Sequence, residues 1–231
     1  MRILALDTST EACSVALGDG ARWAERIEHA GQRHSELLLP IVRALLDEAG
    51  LRLADVDGIA FGAGPGSFTG LRIGCGVAQG LALGADLRLI GVSTLEAMAE
   101  TARAKHGWTR VVAALDARMQ EVYLAAFERV VSQWRPHVEP CVVRPEEAPV
   151  PTGHWSGAGN GFAAHPALRE RLAGVLSTSD EAILPTAVAI GNLALPRFAA
   201  GEGVAARDAA PRYVRHRVAL TTAERDAGLR L

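Results

Sequence analysis

The sequence is poor in cysteine and has almost no lysine. Its three cysteines, Cys13, Cys75 and Cys141, lie far apart and form no C-x-x-C pair, which is typical of a reducing compartment and of buried structural thiols. Lys105 is the only lysine. A Walker A phosphate loop is therefore excluded, as is a lysine-based mechanism elsewhere in the chain. No H-E-x-x-H motif or paired Cys/His spacing is present, so we expect no metal site.

Long apolar runs and an excess of one charge are also absent. The longest uncharged apolar-rich run, residues 182–196, is too short to span a bilayer and contains Pro185. The chain reaches Asp7 too early for the apolar core of a signal peptide. The 24 basic and 26 acidic residues give a net charge of −2, which argues against binding nucleic acid or anionic membranes through the net field. We expect a cytoplasmic protein with no membrane contact.

The chain does contain a pattern of short apolar segments that occurs twice. In the first half, residues 3–6 are apolar and end at Asp7, and a polar turn separates them from the next apolar segment. In the second half, residues 111–115 end in the same way at Asp116. The strands predicted from this pattern are residues 3–6, 12–17, 23–27, 59–61, 89–92, 111–116, 121–127 and 138–143. The predicted helices are residues 35–49, 69–83, 94–105, 162–172 and 186–199.

This order of elements predicts an α/β protein with two duplicated lobes, residues 1–105 and 106–231, each a mixed sheet flanked by helices. Two unrelated hairpins would give a similar pattern, and this alternative stays open on the pattern alone.

A glycine-rich loop between a strand and a helix, at residues 61–72, is the first candidate site. Such a loop is a general anion site, because backbone N–H groups converge at the helix N-terminus. The G-x-G-x-x-G motif is absent because Ser67 replaces its third glycine, and G-x-S-x-G is absent because Pro65 replaces its first. Gly64, Gly66 and Ser67 are candidate phosphate-binding residues. The alternative is that the glycines serve only backbone conformation and close packing.

The polar turn after the first strand is the second candidate site. Asp7 is followed by Thr8, Ser9 and Thr10, and a strand-end carboxylate beside hydroxyl groups can hold Mg²⁺ and surround phosphates. Asp116 would be its counterpart, so that two facing hairpins would form a nucleotide clamp. The alternative is that these side chains only satisfy the turn. The sequence contains no pair of carboxylates whose spacing would indicate general acid–base catalysis. We therefore assign no catalytic residue.

Two helices carry features that favour an interface with a partner subunit. Glycines recur every four residues in the second helix, although each costs about 0.5–1 kcal/mol relative to alanine. The first helix has a wider apolar stripe than one core contact needs. The residues predicted to form the interface are Leu38, Val42, Leu45, Gly76, Gly80 and Gly84. The alternative is that the glycine helix packs closely on its own sheet.

Near the C-terminus, arginines surround an aromatic and an imidazole side chain. The residues are Arg207, Arg212, Tyr213, Arg215, His216 and Arg217. Such a cluster can contact RNA by charge and stacking, or it can be a solvated or docked tail.

Five segments resemble, in order, those of a family of bacterial tRNA threonylcarbamoyladenosine biosynthesis proteins, TsaB. They are LALDTST at 4–10, RHSELLLP at 33–40, GPGSFTGLRIG at 64–74, GVSTLE at 91–96 and DAR at 116–118. The resemblance thins after residue 125, with PRYVR at 211–215 as a late echo. It implies the actin-like ATPase fold, with two ribonuclease H-like lobes.

The TsaB family is similar to the catalytic TsaD, which transfers a threonylcarbamoyl group from an adenylate to N6 of a tRNA adenosine. TsaD-like proteins have two metal-binding histidines in V-N-H-L-E-x-H, where this chain has Thr94 and Met98. Neither residue binds a transition metal as imidazole does. The resemblance therefore implies a non-catalytic scaffold for TsaD, with the ATPase TsaE as a third member. The residues lead to three further expectations. The net charge of −2 favours tRNA contact only through the complex, and the glycine surface suits self-association, so we expect a homodimer when the chain is alone. Because the glycine-rich loop lacks a lysine, we expect at most weak ATP or ADP binding with magnesium.

Two other classes stay open. One is an enzyme acting alone, either an actin-like-fold ATPase or kinase, or a glycoprotease-like peptidase. The absence of a carboxylate pair argues against the ATPase or kinase. The absence of the two metal-binding histidines argues against the peptidase. The other class is a direct tRNA-binding module, which the net charge disfavours.

Overall fold

The computed structural model describes residues 1–215 and contains two five-stranded mixed sheets with the same topology. The first sheet consists of β1 (Ile3–Asp7), β2 (Ala12–Gly18), β3 (Trp23–His29), β4 (Gly58–Gly64) and β5 (Leu89–Ser93), in the order β3-β2-β1-β4-β5. The second consists of β6 (Arg110–Asp116), β7 (Val122–Val130), β8 (Gln133–Val143), β9 (Trp155–Ala158) and β10 (Leu176–Asp180), in the order β10-β9-β6-β7-β8. In each sheet the first three strands pair antiparallel and the last two join in parallel. The predicted duplication is therefore confirmed.

Six α-helices accompany these strands in the described part of the chain. They are α1 (His34–Glu48), α2 (Phe68–Ala85), α3 (Thr94–His106), α4 (Gly161–Ala164), α5 (Pro166–Leu172) and α6 (Ala187–Ala199). The single helix predicted at residues 162–172 is wrong, because the chain breaks at His165. Pro166 has no N–H and keeps the preceding residue out of helical geometry, and His165 has φ −130° and ψ 89°. Strands β9 and β10 were not predicted, because neither has alternating apolar residues.

The helices do not divide between the sheets as the sequence order suggests. Helices α1 and α2 cover one face of the first sheet, and α4 and α5 cover the outer face of the second. Helix α3 packs mainly on the second sheet, where Leu95 and Met98 contact Val111 and its neighbours. Helix α6 returns to the first sheet, where Ile190 packs against Ile3 and Ala5. The predicted lobe boundary lies between residues 105 and 106. It therefore assigns α3 to the first lobe although this helix covers the second sheet, and α6 to the second lobe although this helix covers the first sheet.

Side chains from the first sheet determine where α6 begins. The N–H groups of residues 187–189 would otherwise lack partners, as at any helix N-terminus. They donate to Ser14 Oγ (2.8 Å), Glu25 Oε1 (3.0 Å) and Thr186 Oγ1 (3.2 Å), respectively. The Glu25 carboxylate also interacts favourably with the positive end of the helix dipole. These bonds hold α6 on the first sheet. Within residues 1–215, no helix is long and apolar enough to cross a bilayer.

Candidate nucleotide cleft and partner face

A cleft of about 420 Å³ lies between the two lobes, at the strand ends where both candidate hairpins were expected. Five predicted site residues line it: Ser9, Thr10, Gly66, Ser67 and Asp116. Three do not line it: Asp7, Thr8 and Gly64. Other lining residues were not singled out for any site, among them Tyr123 and Asn160, and the segment 212–215 was singled out only as part of a possible RNA contact.

Asp7 is buried beneath the first hairpin rather than presented to the cleft. It ends β1 and is 1% exposed. Its Oδ2 accepts hydrogen bonds from the backbone N–H of Ser9 (3.2 Å) and from its hydroxyl (2.8 Å). Its Oδ1 has no hydrogen-bond partner among the described residues and lies where a Cβ on Gly62 would be. Burial raises the pKa of Asp7 to about 7, against the lowering effect of the two Ser9 hydrogen bonds.

The glycine loop packs directly onto the first hairpin. The Ser67 N–H donates to the Ser9 carbonyl (2.7 Å), and the Thr8 hydroxyl donates to the Gly70 carbonyl (2.7 Å). A Cβ at Gly66 or Gly70 would overlap the carbonyl oxygens of the hairpin. Close packing on the hairpin, the alternative considered from sequence, therefore explains Gly66 and Gly70, and phosphate binding at Gly64, Gly66 and Ser67 stays a prediction.

Asp116, the counterpart of Asp7, is already engaged by its own lobe. Its Oδ1 accepts from the Arg118 N–H (2.9 Å) and lies 3.2 Å from His165 Nε2. Its Oδ2 pairs with the Arg118 guanidinium at 3.1 Å. Its own N–H donates to Asn160 Oδ1 (3.0 Å). The carboxylate orders the second hairpin, and Asn160, which the sequence did not single out, holds its backbone.

The second hairpin turns through three consecutive left-handed residues. Arg118, Met119 and Gln120 have φ of 61°, 55° and 59°, a conformation that costs roughly 1–2 kcal/mol for each non-glycine residue. Two hydrogen bonds close the turn, from the Ala117 N–H to the Glu121 carbonyl and from the Glu121 N–H to the Arg118 carbonyl, both 3.0 Å. Such strain persists only where the surroundings hold it.

A segment near the C-terminus, residues 209–215, crosses the mouth of the cleft, and we call it the strap. On the first lobe, Gln79 Nε2 donates to the Ala209 carbonyl (2.9 Å), and the Arg212 N–H donates to the Ala63 carbonyl (2.7 Å). On the second lobe, Arg215 donates to the Ala117 carbonyl (3.0 Å) and to Glu121 Oε2 (2.6 Å). The strap therefore joins the glycine loop to the strained turn.

These contacts decide part of the question left open for the arginine cluster. Arg212, Tyr213 and Arg215 belong to a docked segment, whereas Arg207 is almost fully exposed. His216 and Arg217 lie outside the described residues.

The residues present do not fit a magnesium nucleotide held between two aspartates. Asp7 is buried, Asp116 is engaged by Arg118, and the Thr8 hydroxyl is bonded within the protein. Neither aspartate therefore offers a free carboxylate to Mg²⁺ in the cleft, and no chemical step follows from such a ligand.

The two positions compared with metal-binding histidines are both in the interior. Thr94 begins α3, and both it and Met98 are fully buried. The Met98 methyl group lies against Gly159, where a Cβ would overlap it. Residues 1–215 contain no group of three or more His, Cys, Asp or Glu side chains arranged to hold a metal ion.

The predicted partner residues fall into two groups. Gly76, Gly80 and Gly84 lie on the exposed side of α2, and a Cβ at any of them would meet open space. Packing of these glycines on their own sheet is thus excluded. The three α1 residues, Leu38, Val42 and Leu45, are instead buried in the core of the first lobe. Their assignment to a partner surface is corrected, because the stripe is needed to cover the first sheet.

The repeated strand order, the helices on both faces and the cleft between the lobes define a duplicated α/β protein with the actin-like, ribonuclease H-like fold. The family model described as TsaD, tRNA N6-adenosine threonylcarbamoyltransferase, matches residues 28–208. The chain is 44% identical to the tRNA threonylcarbamoyladenosine biosynthesis protein TsaB of Escherichia coli over 224 residues, which cover 95% of this chain and 96% of that protein. It is 42% identical to TsaB of Haemophilus influenzae over 228 residues, with 94% and 95% covered. The chain therefore belongs to the TsaB family.

Two solved structures are similar to this chain along nearly its whole length. A Pseudomonas aeruginosa protein, described as uncharacterized with similarity to the peptidase YeaZ, has a TM-score of 0.86 and 44% identity, with 93% of this chain and 99% of that chain covered. A second structure, YeaZ from Pseudomonas aeruginosa, gives the same score and identity, with 92% and 99% covered.

Proposed function

We propose that this chain is a non-catalytic scaffold subunit that supports a TsaD-like enzyme when it transfers a threonylcarbamoyl group to a tRNA adenosine. The observation that carries the proposal is the pair Thr94 and Met98. The chain matches the family model of the transferase TsaD. Where TsaD-like proteins have two imidazole side chains, it has the hydroxyl of Thr94 and the thioether of Met98, and both side chains are buried. These side chains cannot replace histidine as ligands of a transition metal.

The exposed side of α2 is the surface on which we expect the TsaD-like subunit to bind. This helix has a single charged residue, Arg72, in 18 residues, which is unusual for a surface helix. The open glycines allow another helix to approach closely and to gain dispersion contacts along its length. Because the TsaD family model matches residues 28–208, a TsaD-like chain would have a counterpart of α2. The same face would form a homodimer when the partner is absent.

The remaining parts of the proposal follow from charge and from the family. A net charge of −2 supports tRNA contact through the complex rather than by this chain alone. A TsaE-like ATPase would be the third subunit, and the complex would act in the cytoplasm. ATP or ADP with magnesium would bind the isolated chain weakly at most, because both hairpin aspartates are buried or engaged.

The test is a reconstitution in which modified tRNA is measured by mass spectrometry of its nucleosides. The TsaD-like and TsaE-like proteins of the same cell, supplied with the adenylate and tRNA, are assayed with and without this chain. We expect product only when the chain is present, and strongly reduced product with Gly80→Arg. Gly174→Arg is the matched control, because Gly174 is also exposed, a Cβ there would meet open space, and it lies on the second lobe.

Three outcomes would contradict the proposal. The first is full activity of the TsaD-like protein without this chain. The second is turnover of ATP or of a peptide by this chain alone. The third is one equivalent of zinc or iron in protein purified without a tag, measured by elemental analysis. A Gly80→Arg variant that is folded by circular dichroism and still forms the complex would refute only the location of the interface.

A further inference from the structure

The aromatic residues of the described chain are nearly all buried or half-buried, with two exceptions that touch each other. Phe68 is 44% exposed and Tyr213 is 46% exposed. Their ring centroids are 5.6 Å apart, although the two residues are 145 positions apart in the sequence. Exposed aromatic side chains that form one contiguous patch are characteristic of interaction sites rather than of ordinary surface.

Arg72 fixes this pair in place. Its guanidinium stacks 3.8 Å from the centre of the Phe68 ring, and its Nε donates a hydrogen bond to the Tyr213 hydroxyl (3.1 Å). The strap positions Tyr213 independently, through the Arg212 N–H bond to Ala63. We call Phe68, Arg72 and Tyr213 the aromatic cap. Because its side chains are already ordered, binding through it would cost little conformational entropy.

The aromatic cap continues the line of open glycines on α2. Phe68 and Arg72 precede Gly76 at the same four-residue spacing that leads on to Gly80 and Gly84, so the five form a continuous line that drifts by about 40° per step around the helix. All five are exposed. Leu83, near the other end of α2, is 78% exposed. The resulting surface has bulky side chains at both ends and a flat glycine section between them.

We propose that the aromatic cap is the anchor with which this chain binds its TsaD-like partner. This inference rests on the proposed function and adds that the strap, which is distant in sequence from α2, supplies part of the binding surface. Aromatic and arginine side chains dominate the binding energy of protein interfaces. Phe68 and Tyr213 fit an apolar pocket on the partner. Among the described residues only Nε of Arg72 is hydrogen-bonded, so its terminal nitrogens are available to a partner carboxylate.

A protein fits this surface better than RNA does. RNA binding depends on several cationic side chains that contact phosphates, and α2 carries one charge in 18 residues. The glycine section offers nothing to a phosphate backbone, whereas it allows close approach of an apolar helix.

The experiment measures the affinity of the full chain for the purified TsaD-like protein by isothermal titration calorimetry. Phe68→Ala and Tyr213→Ala should each weaken binding about tenfold or more. Tyr213→Phe keeps the ring and loses only the bond from Arg72, so it should weaken binding by less than about threefold. Val150→Ala, at an exposed apolar residue of the second lobe, is the control and should change nothing. Circular dichroism checks the fold of each variant, and Tyr213 lies outside every helix and strand.

The outcomes separate this inference from the proposed function. If the unmodified chain does not bind the TsaD-like protein, the proposed function fails. If it binds, and Gly80→Arg abolishes binding while both alanine variants bind normally, only the aromatic cap is refuted. If the two alanine variants lose only self-association and still bind the TsaD-like protein normally, the inference is also overturned. If they lose only the binding of tRNA by the assembled complex, the inference is overturned in favour of an RNA contact.

Discussion

Replacing Asp7 by Asn should remove a large part of the pH dependence of folding stability. The carboxyl group has a pKa of about 7 in the native state, because burial disfavours its charge. In the unfolded chain its pKa is close to the model-peptide value of about 3.9. Between these values the native state holds a proton that the unfolded state has released. The free energy of unfolding therefore falls as the pH rises through this interval, and it is constant above the native pKa.

The size of the effect follows from the width of the interval. One pKa unit corresponds to about 1.4 kcal/mol. From about pH 5 to about pH 8.5, the native carboxyl keeps its proton over roughly the first two units while the unfolded chain has already released it, so Asp7 should contribute a decrease of roughly 3 kcal/mol. Asn has nearly the same shape and does not titrate. The buried amide adds a cost of its own, because Oδ1 has no partner among residues 1–215, but this cost is the same at both pH values.

Urea unfolding of both proteins at the two pH values measures this difference. The informative quantity is the change in unfolding free energy between the two pH values, compared between Asp7→Asn and the unmodified chain. Contributions from all other titrating groups cancel in this comparison. Equal pH dependence in the two proteins would show that the Asp7 carboxyl is not desolvated as described, and that its pKa is close to the ordinary value.

Three further predictions concern glycines, the strap and the interior. Gly76→Ala should stabilise the chain by up to about 1 kcal/mol, because its Cβ meets open space, whereas Gly70→Ala should lower the melting temperature by overlapping the first hairpin. Arg215→Met should speed amide hydrogen exchange in residues 117–121 about tenfold, and an unchanged rate would show that the turn does not depend on the strap. Glu100→Gln should destabilise the fold by about 1–3 kcal/mol in thermal unfolding, because this buried carboxylate accepts hydrogen bonds from three side chains, those of Arg103, Arg129 and Trp134; a variant of unaltered stability would contradict this.

The strands that end at Asp7 and Asp116 could be predicted because their apolar residues form uninterrupted runs before a polar turn. The edge strands β9 and β10 could not, because four residues of Trp-Ser-Gly-Ala and five of Leu-Ser-Thr-Ser-Asp carry no periodic signal. Their existence depends on parallel pairing with β6 and with each other, which is a property of the assembled sheet.

In the candidate site, too, the features that depend on distant parts of the chain could not be predicted from local sequence. The sequence placed both hairpins and the glycine loop at one cleft, and the structure brings Ser9, Ser67 and Asp116 there. It could not indicate that Asp7 faces inward, because the direction of a strand-end side chain depends on which helix covers that face. The covering helix is α6, about 180 residues later in the chain, and no local pattern reports that contact.

The exchange of α3 and α6 between the sheets also determines when each lobe can be completed during synthesis. All five strands of the first sheet have been made once residue 93 is present, yet the face that carries Ile3 and Ala5 lacks its main covering helix until residues 187–199 follow. Because a ribosome adds about 5–20 residues per second, this apolar face stays incompletely covered for several seconds of translation. A nascent chain stopped at residue 105 would present it to chaperones, and the two lobes must finish folding together.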